Sequence, residues 1–240
     1  GDPSGLGPWA KDKLTGEPNP IRNTTTEFST DTAEQVAALD PTKIIAVNSG
    51  FDSDKQALLQ QIAPATFHSD QHEDWQVPWD EQIKEIAAAL GQEAEGDKLI
   101  AESEQAFADF RQAHPELQGK TAVIGMPYDG KLGVYTAGDG RGSFIEKLGF
   151  TIPDKFNGDG SSFFIDWSPE NYSDLNDVDY VFILDYYNAI DALKNDAAFA
   201  NLDVNTRGGV HWLDTDTANA MSMPNPLTIP YAITQIDQEL

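Results

Sequence analysis

From Gln92 to His114, QEAEGDKLIAESEQAFADFRQAH, the residues Leu99, Ala106, Phe110 and Ala113 recur at spacings of seven, four and three, with Ile100 and Phe107 alongside. That is the apolar stripe of one long amphipathic helix. Glu93, Glu95, Asp97, Glu102 and Glu104 load its first half, where the helix dipole is positive. Arg111 and His114 fall in the last turn, and Pro115 stops it. Gly96 is its weak point, costing about 1 kcal/mol relative to Ala. At about 1.5 Å rise per residue the helix is roughly 35 Å long, the width of a small domain.

On both sides of this helix, strand-like and helix-like patterns alternate. Before it, residues 1–28 read as surface loop, rich in Gly, Pro, Asn and Thr. Thr30 to Leu39 reads as a helix with a Thr or Asp cap. Lys43 to Val47 reads as a buried strand, and Asp54 to Ile62 as a helix. A short extended piece and a polar loop fill Ala63 to Trp75. Pro78 opens a helix whose Ile83, Ile86, Ala87 and Leu90 share one face and which Gly91 ends.

After it come the strands Thr121 to Met126 and Lys131 to Tyr135, joined by Asp129-Gly130, the strongest short hairpin signal. Arg141 to Leu148 reads as a helix, Phe163 to Ile165 as a strand, and Ser168-Pro169-Glu170 as the start of another helix with Ser at its cap. Tyr180 to Leu184, YVFIL, is a second buried strand. Short helices at Ala189 to Lys194 and Asp196 to Ala200, a strand at Val210 to Leu213, and helices at Thr215 to Met221 and Leu227 to Ile236 complete the chain. Alternation of this kind predicts an α/β fold with two α/β lobes joined by one long helix. The boundaries are 1–91 for the N-terminal lobe, 92–114 for the connecting helix and 115–240 for the C-terminal lobe. Only one convincing strand precedes the helix. One strand makes no sheet, so either this lobe holds strands without a clear pattern or it reads as incomplete at its N-terminus.

Composition removes several classes of function. The chain has no cysteine, so disulfides, thiolate metal sites and a Cys nucleophile are excluded. Forty acidic against fifteen basic residues give a formal charge of −25. Binding of nucleic acid through a broad basic patch does not fit that balance. An acidic surface suits solubility and also attraction of a cationic ligand; the spread of the acids along the whole chain favours solubility. No apolar run approaches the roughly 18 residues of a membrane span.

Several segments together resemble one family. GPWAKDKL (7–14), TAEQVAALDPTKIIAV (32–47), LQQIAP (59–64) and WQVPWDEQIKEIAAALGQEAEGDKLI (75–100) look like the ferric-siderophore substrate-binding proteins of ABC importers, of the actinobacterial kind. YDGKLGVYTAGDGRGSFIEKLGF (128–150), WSPENYSDLNDVDYVFIL (167–184) and MSMPNPLTIPYAI (221–233) continue the likeness. The resemblance implies two α/β lobes, a rigid connecting helix and a ligand held between the lobes. It implies an N-terminal segment before GPW, and a monomer on the outer face of the cytoplasmic membrane or in the periplasm. Membrane association would come only through a lipid anchor outside these residues. The implied partners are a ferric siderophore and an ABC permease. No cofactor and no catalytic residue are implied.

A ferric chelate already carries its iron ligands, so its receptor needs aromatic walls and a few donors. In open α/β sheets ligands sit at strand ends. By that rule Trp75, Tyr128, Trp167, Tyr186 and Tyr187 are candidate ligand-binding residues, each with core packing as its alternative. Arg141 joins them because it opens a helix after a Gly-rich turn, where backbone donors point outward; a plain surface charge is its alternative. Glu34 and Glu170 lie in the first turns of helices in opposite lobes. The resemblance gives them permease docking, and the helix dipole alone also accounts for them. His68-x3-His72-Glu73 has a metal-ligand spacing, but a solvated loop is the favoured reading and no metal site is assigned. Receptors for haem, another metal chelate or a bare Zn or Mn ion stay open, as does a distant glycosidase reading with Asp166 and Asp185 as its carboxylates.

Overall fold

In the computed structural model, which describes residues 6–16, 18–21, 29–186 and 189–240, the first apolar run is the strand Ile44–Ala46 (β1). It pairs in parallel with Ala65–Phe67 (β2), Ile44 opposite Ala65. β2 is the extended piece that precedes the polar loop. β1 is not buried as its composition predicts. Ile45 is 36% exposed, because this sheet has two strands among the described residues and leaves one side chain row open. Around the pair lie the helices Thr30–Ala38 (α1), Ser53–Gln60 (α2) and Trp79–Leu90 (α3). The cap of α1 is Ser29, one residue before the expected Thr or Asp. It forms a reciprocal capping box with Thr32, with N–O distances of 3.3 and 3.4 Å. Gly91 ends α3 in the left-handed conformation, φ 67°.

The long helix spans Glu93–Ala113 (α4). The chain divides within it into two compact units, residues 1–98 and 99–240. Its buried row is Gly96, Ser103, Phe107 and Phe110, and Ala113 is exposed. The spacing is the expected seven, four and three, displaced by three residues toward the N-terminus. Counting apolar residues missed this because two of the four positions hold Gly and Ser. Ser103 is compatible with burial because its hydroxyl donates to the Leu99 carbonyl at 2.8 Å.

The second unit contains a five-stranded sheet built from Ala122–Tyr128 (β3), Lys131–Tyr135 (β4), Phe164–Trp167 (β5), Tyr180–Leu184 (β6) and Val210–Leu213 (β7). The order is β5-β4-β3-β6-β7. β3 pairs in parallel with β6, and β6 with β7; β4 is antiparallel to both of its neighbours. Four of the five strands therefore share one direction, as expected for this half. Asp129 and Gly130 both have positive φ, 47° and 73°, which a two-residue type I′ hairpin requires.

The helices of this unit are Gly140–Lys147 (α5), Ile190–Lys194 (α6), Ala197–Ala200 (α7), Asp203–Thr206 (α8), Thr215–Ser222 (α9) and Thr228–Glu239 (α10). α8 has no counterpart in the sequence reading, since DVNT is too short to show a period. The segment opened by Ser168-Pro169-Glu170 is a 3-10 helix, Pro169–Asp177, and the Ser168 side chain makes no capping bond. Val181, Phe182, Ile183 and Leu184 of β6 are wholly buried, as are Ile124, Val134, Ile145, Phe156, Phe199, Ala218 and Ile229 of the same unit.

Gly96 has a steric reason. A Cβ placed on it would stand 2.5 Å from the Cβ of Ala87, so the glycine lets α4 lie close against α3. Gly96→Ala should therefore lower stability, although helix propensity alone gives alanine an advantage of about 1 kcal/mol. Overpacking costs roughly 1–3 kcal/mol and exceeds that gain. Urea unfolding measures the difference; a midpoint at or above that of the parent protein would contradict the contact.

Candidate functional site

Because β3, β5, β6 and β7 point the same way, their C-terminal ends share one edge of the sheet, and antiparallel β4 begins there. Tyr128, Lys131, Asp166, Trp167, Asp185 and Tyr186 all stand at or just past this edge. It is the edge at which open α/β sheets hold ligands.

Two clusters form on it. In the first, Tyr128 donates its hydroxyl proton to Asp166, and Lys131 closes an ion pair with the same carboxylate. Lys131 Nζ also lies 5.0 Å from the centre of the Tyr128 ring, whose edge meets Phe164 at 6.0 Å. The Lys131 and Tyr128 hydrogen bonds hold the Asp166 carboxyl below its ordinary pKa. Trp167, beside Asp166 in β5, is partly committed to structure. Its Nε1–H donates to the Asn171 carbonyl at 2.9 Å, and its ring packs against Phe156 at 4.8 Å.

The second cluster surrounds Arg141. Asp139 caps α5 by accepting from the Arg141 backbone N–H at 2.8 Å. The same carboxylate takes Nε of Arg141 at 2.7 Å and Nη2 at 2.9 Å, a two-pronged pair. Both side chains are largely buried, 14% and 4% exposed. Nη1 donates to the Tyr186 hydroxyl at 3.3 Å, and that hydroxyl donates to the Ala218 carbonyl of α9 at 2.9 Å. The guanidinium lies over Tyr135, 3.8 Å from the ring centre. Burial opposes the charge on Arg141, but the bonds and field of Asp139 outweigh it and keep the group protonated.

The structure thus joins Arg141 to Tyr186, as proposed residues of one site. It also brings in Asp139 and Tyr135, which the sequence reading passed over. The available signal for Asp139 was its place before Gly-Arg-Gly at a helix start, where Asp is a preferred cap. The outward backbone donor expected at Arg141 is in fact taken by Asp139. Tyr187 lies outside the described residues.

In the first unit, Trp75 is 49% exposed, with φ 64°. Its indole sits so near Gly50, beyond the end of β1, that a Cβ there would be 2.8 Å from Nε1. The two histidines of the polar loop turn to different carboxylates. His68 meets Asp74 at 3.2 Å and the Ser49 carbonyl at 3.0 Å; His72 meets Glu81 at 2.7 Å. Among the described residues no three His, Asp or Glu side chains converge as a metal site. Glu34 on α1 and Glu170 on the 3-10 helix are both exposed.

The model of the periplasmic binding protein family matches residues 6–208. The chain belongs to that family. Solved structures agree over almost its whole length. PiaA of Streptococcus pneumoniae TIGR4 in complex with ferrichrome is 26% identical, with a TM-score of 0.83 over 99% of this chain and 81% of that one. A periplasmic solute-binding protein of Mycobacterium smegmatis is 27% identical, with a TM-score of 0.85 over 100% and 81%. Among curated proteins no sequence matches the chain.

The buried phenols of this periplasmic binding protein give its stability an alkaline limit. Burial pushes the Tyr135 hydroxyl well above the ordinary phenol range, which Arg141 only partly offsets, and it pushes Tyr172 up to about 12. The neutral forms are thus favoured in the folded state. Their contribution is complete below the unfolded phenol value of about 10 and is lost as pH rises through the folded values. The urea midpoint should fall as pH rises from about 9 to about 11, and Tyr135→Phe should make that fall shallower. An unchanged slope in the variant would contradict the burial of this hydroxyl.

Proposed function

We propose that this protein is the extracytoplasmic solute-binding component of an ABC importer and that its cargo is a ferric siderophore. The observation that carries the reading is the superposition, over 99% of the chain, on a relative solved with ferrichrome. A second structure of the same relative describes it as the substrate-binding protein of an iron-uptake ABC transporter. The chemistry of the sheet edge fits. It offers aromatic surface and hydrogen-bond donors, and the cargo brings its own iron ligands. The proposed ligand-binding residues are Trp75, Tyr128, Arg141, Trp167, Tyr186 and Tyr187, on lobes of residues 1–91 and 115–240 linked by 92–114. The protein acts as a monomer without catalysis, held to the outer face of the membrane by a lipid anchor or free in the periplasm. A general acid needs a raised pKa, and Asp166 has the reverse.

Titration of the protein with a panel of ferric chelates, read by quenching of tryptophan fluorescence, tests this. At least one chelate should bind with a Kd of about 1 μM or tighter. Tight binding of bare Zn or Mn with no chelate bound would replace the reading with that of a metal-ion receptor.

Glu34 and Glu170 are proposed as contacts to the permease, one in each unit. Exposed charge pairs of this kind set orientation and on-rate more than affinity. Glu34→Ala and Glu170→Ala should leave chelate affinity unchanged and reduce stimulation of the transporter's ATPase, most strongly when combined. The effect should weaken with salt, since screening sets in over about 10 Å at 0.1 M. Lost chelate binding with normal stimulation would place these residues at the ligand instead.

A further inference from the structure

We infer that the siderophore carries no net negative charge: the cargo is a neutral or cationic ferric chelate of the hydroxamate type, and anionic catecholate and carboxylate chelates are discriminated against. The inference rests on the siderophore reading above and concerns which cargo that site accepts. Positive side chains would ordinarily recruit an anionic chelate. Here the two cations at the sheet edge of the second unit are already neutralised by the protein itself. Lys131 is paired with Asp166. Arg141 is clamped by both oxygens of Asp139. Beyond β6, Asp185 adds a carboxylate with one oxygen buried and without a hydrogen-bond partner among the described residues. Pairing leaves the first two clusters without net charge, and Asp185 tips the edge negative.

What remains is donor capacity without charge. Of the five N–H groups of a guanidinium, the Arg141 side chain commits two to Asp139 and one to the Tyr186 hydroxyl. At most two N–H groups are left, so this cluster has hydrogen-bond capacity for a chelate oxygen but no unpaired charge to offer an anion. In a ferric trihydroxamate, three singly charged hydroxamates balance Fe(III), so such a complex presents polar oxygens and no net charge. A ferric tricatecholate is a trianion. To bind it, the protein would have to break Asp139 from Arg141 or hold the anion beside Asp185, and either step costs free energy that a neutral chelate avoids.

A series with one iron-binding frame isolates charge from shape. Ferrioxamine B has a protonated pendant amine, its N-acetyl derivative is neutral and its N-succinyl derivative is anionic. Isothermal titration of the protein with the three, and with a ferric tricatecholate, should give the amine and acetyl forms affinities at least about tenfold above the succinyl form. The tricatecholate should be weaker still. Asp166→Asn, an exposed change that frees Lys131, should narrow the gap between acetyl and succinyl forms. Equal or tighter binding of the succinyl form, or a tricatecholate that outbinds every hydroxamate, would overturn the inference while leaving siderophore binding intact. No binding of any ferric chelate by the folded protein would overturn the siderophore reading, and the charge preference with it.

Discussion

The sheet edge of the second unit is organised by the burial of one strand. Val181 to Leu184 is closed off on both faces of the sheet and bonded along both edges, to β3 on one side and β7 on the other. A run buried in this way has no alternative face to offer, so its register is fixed by the cost of exposing it. β3 and β7 inherit that register. Their ends, and the residues just past them, then arrive together at one edge. Tyr186 meets Arg141 because β6 ends where it does, and Ala218 accepts from Tyr186 because α9 starts directly after β7.

The electrostatics of that edge follow from a second constraint, the expense of burying an unpaired charge. Arg141 is mostly covered, so it needs a counter-ion of its own, and Asp139 supplies one while also capping α5. A single carboxylate thus starts a helix, orients a guanidinium and cancels its charge. The bidentate geometry leaves the guanidinium plane fixed over Tyr135 by the protein itself.

Much of the architecture is legible in the chain because it depends on local chemistry. YVFIL is a short β-branched and aromatic run bounded by polar residues, which reads as a buried strand, and four of its five residues are buried. Asp129-Gly130 can adopt the two positive φ values that its hairpin requires, and Gly91 the one that ends α3. The long helix shows itself by period and by charge gradient. What the sequence concealed are features that depend on partners. The buried row of α4 includes a glycine and a serine, whose burial is understandable only once Ala87 and the Leu99 carbonyl are in place. β2 is too short to show alternation. At the site, residue type and strand ends pointed to Tyr128, Arg141 and Tyr186, but Asp139 and Tyr135 are recognisable only through the contacts they make with Arg141.

The two-residue turn at Asp129-Gly130 bears on how this edge comes into being. Hairpins of this kind form in roughly 1–10 μs, since only neighbouring residues must meet. The parallel pairing of β3 with β6 must instead close a separation of 58 residues, as the Thr121–Asp179 bond marks. The β3–β4 ribbon, with Tyr128 and Lys131 at its tip, is therefore expected early on the folding route, and the crossover to β6 late. One half of the edge would be assembled before the other exists. The ribbon's open side would then stand as an unpaired template during biosynthesis until β6 covers it, which makes the stretch from Ala122 to Tyr128 the segment most exposed to wrong partners in the nascent chain.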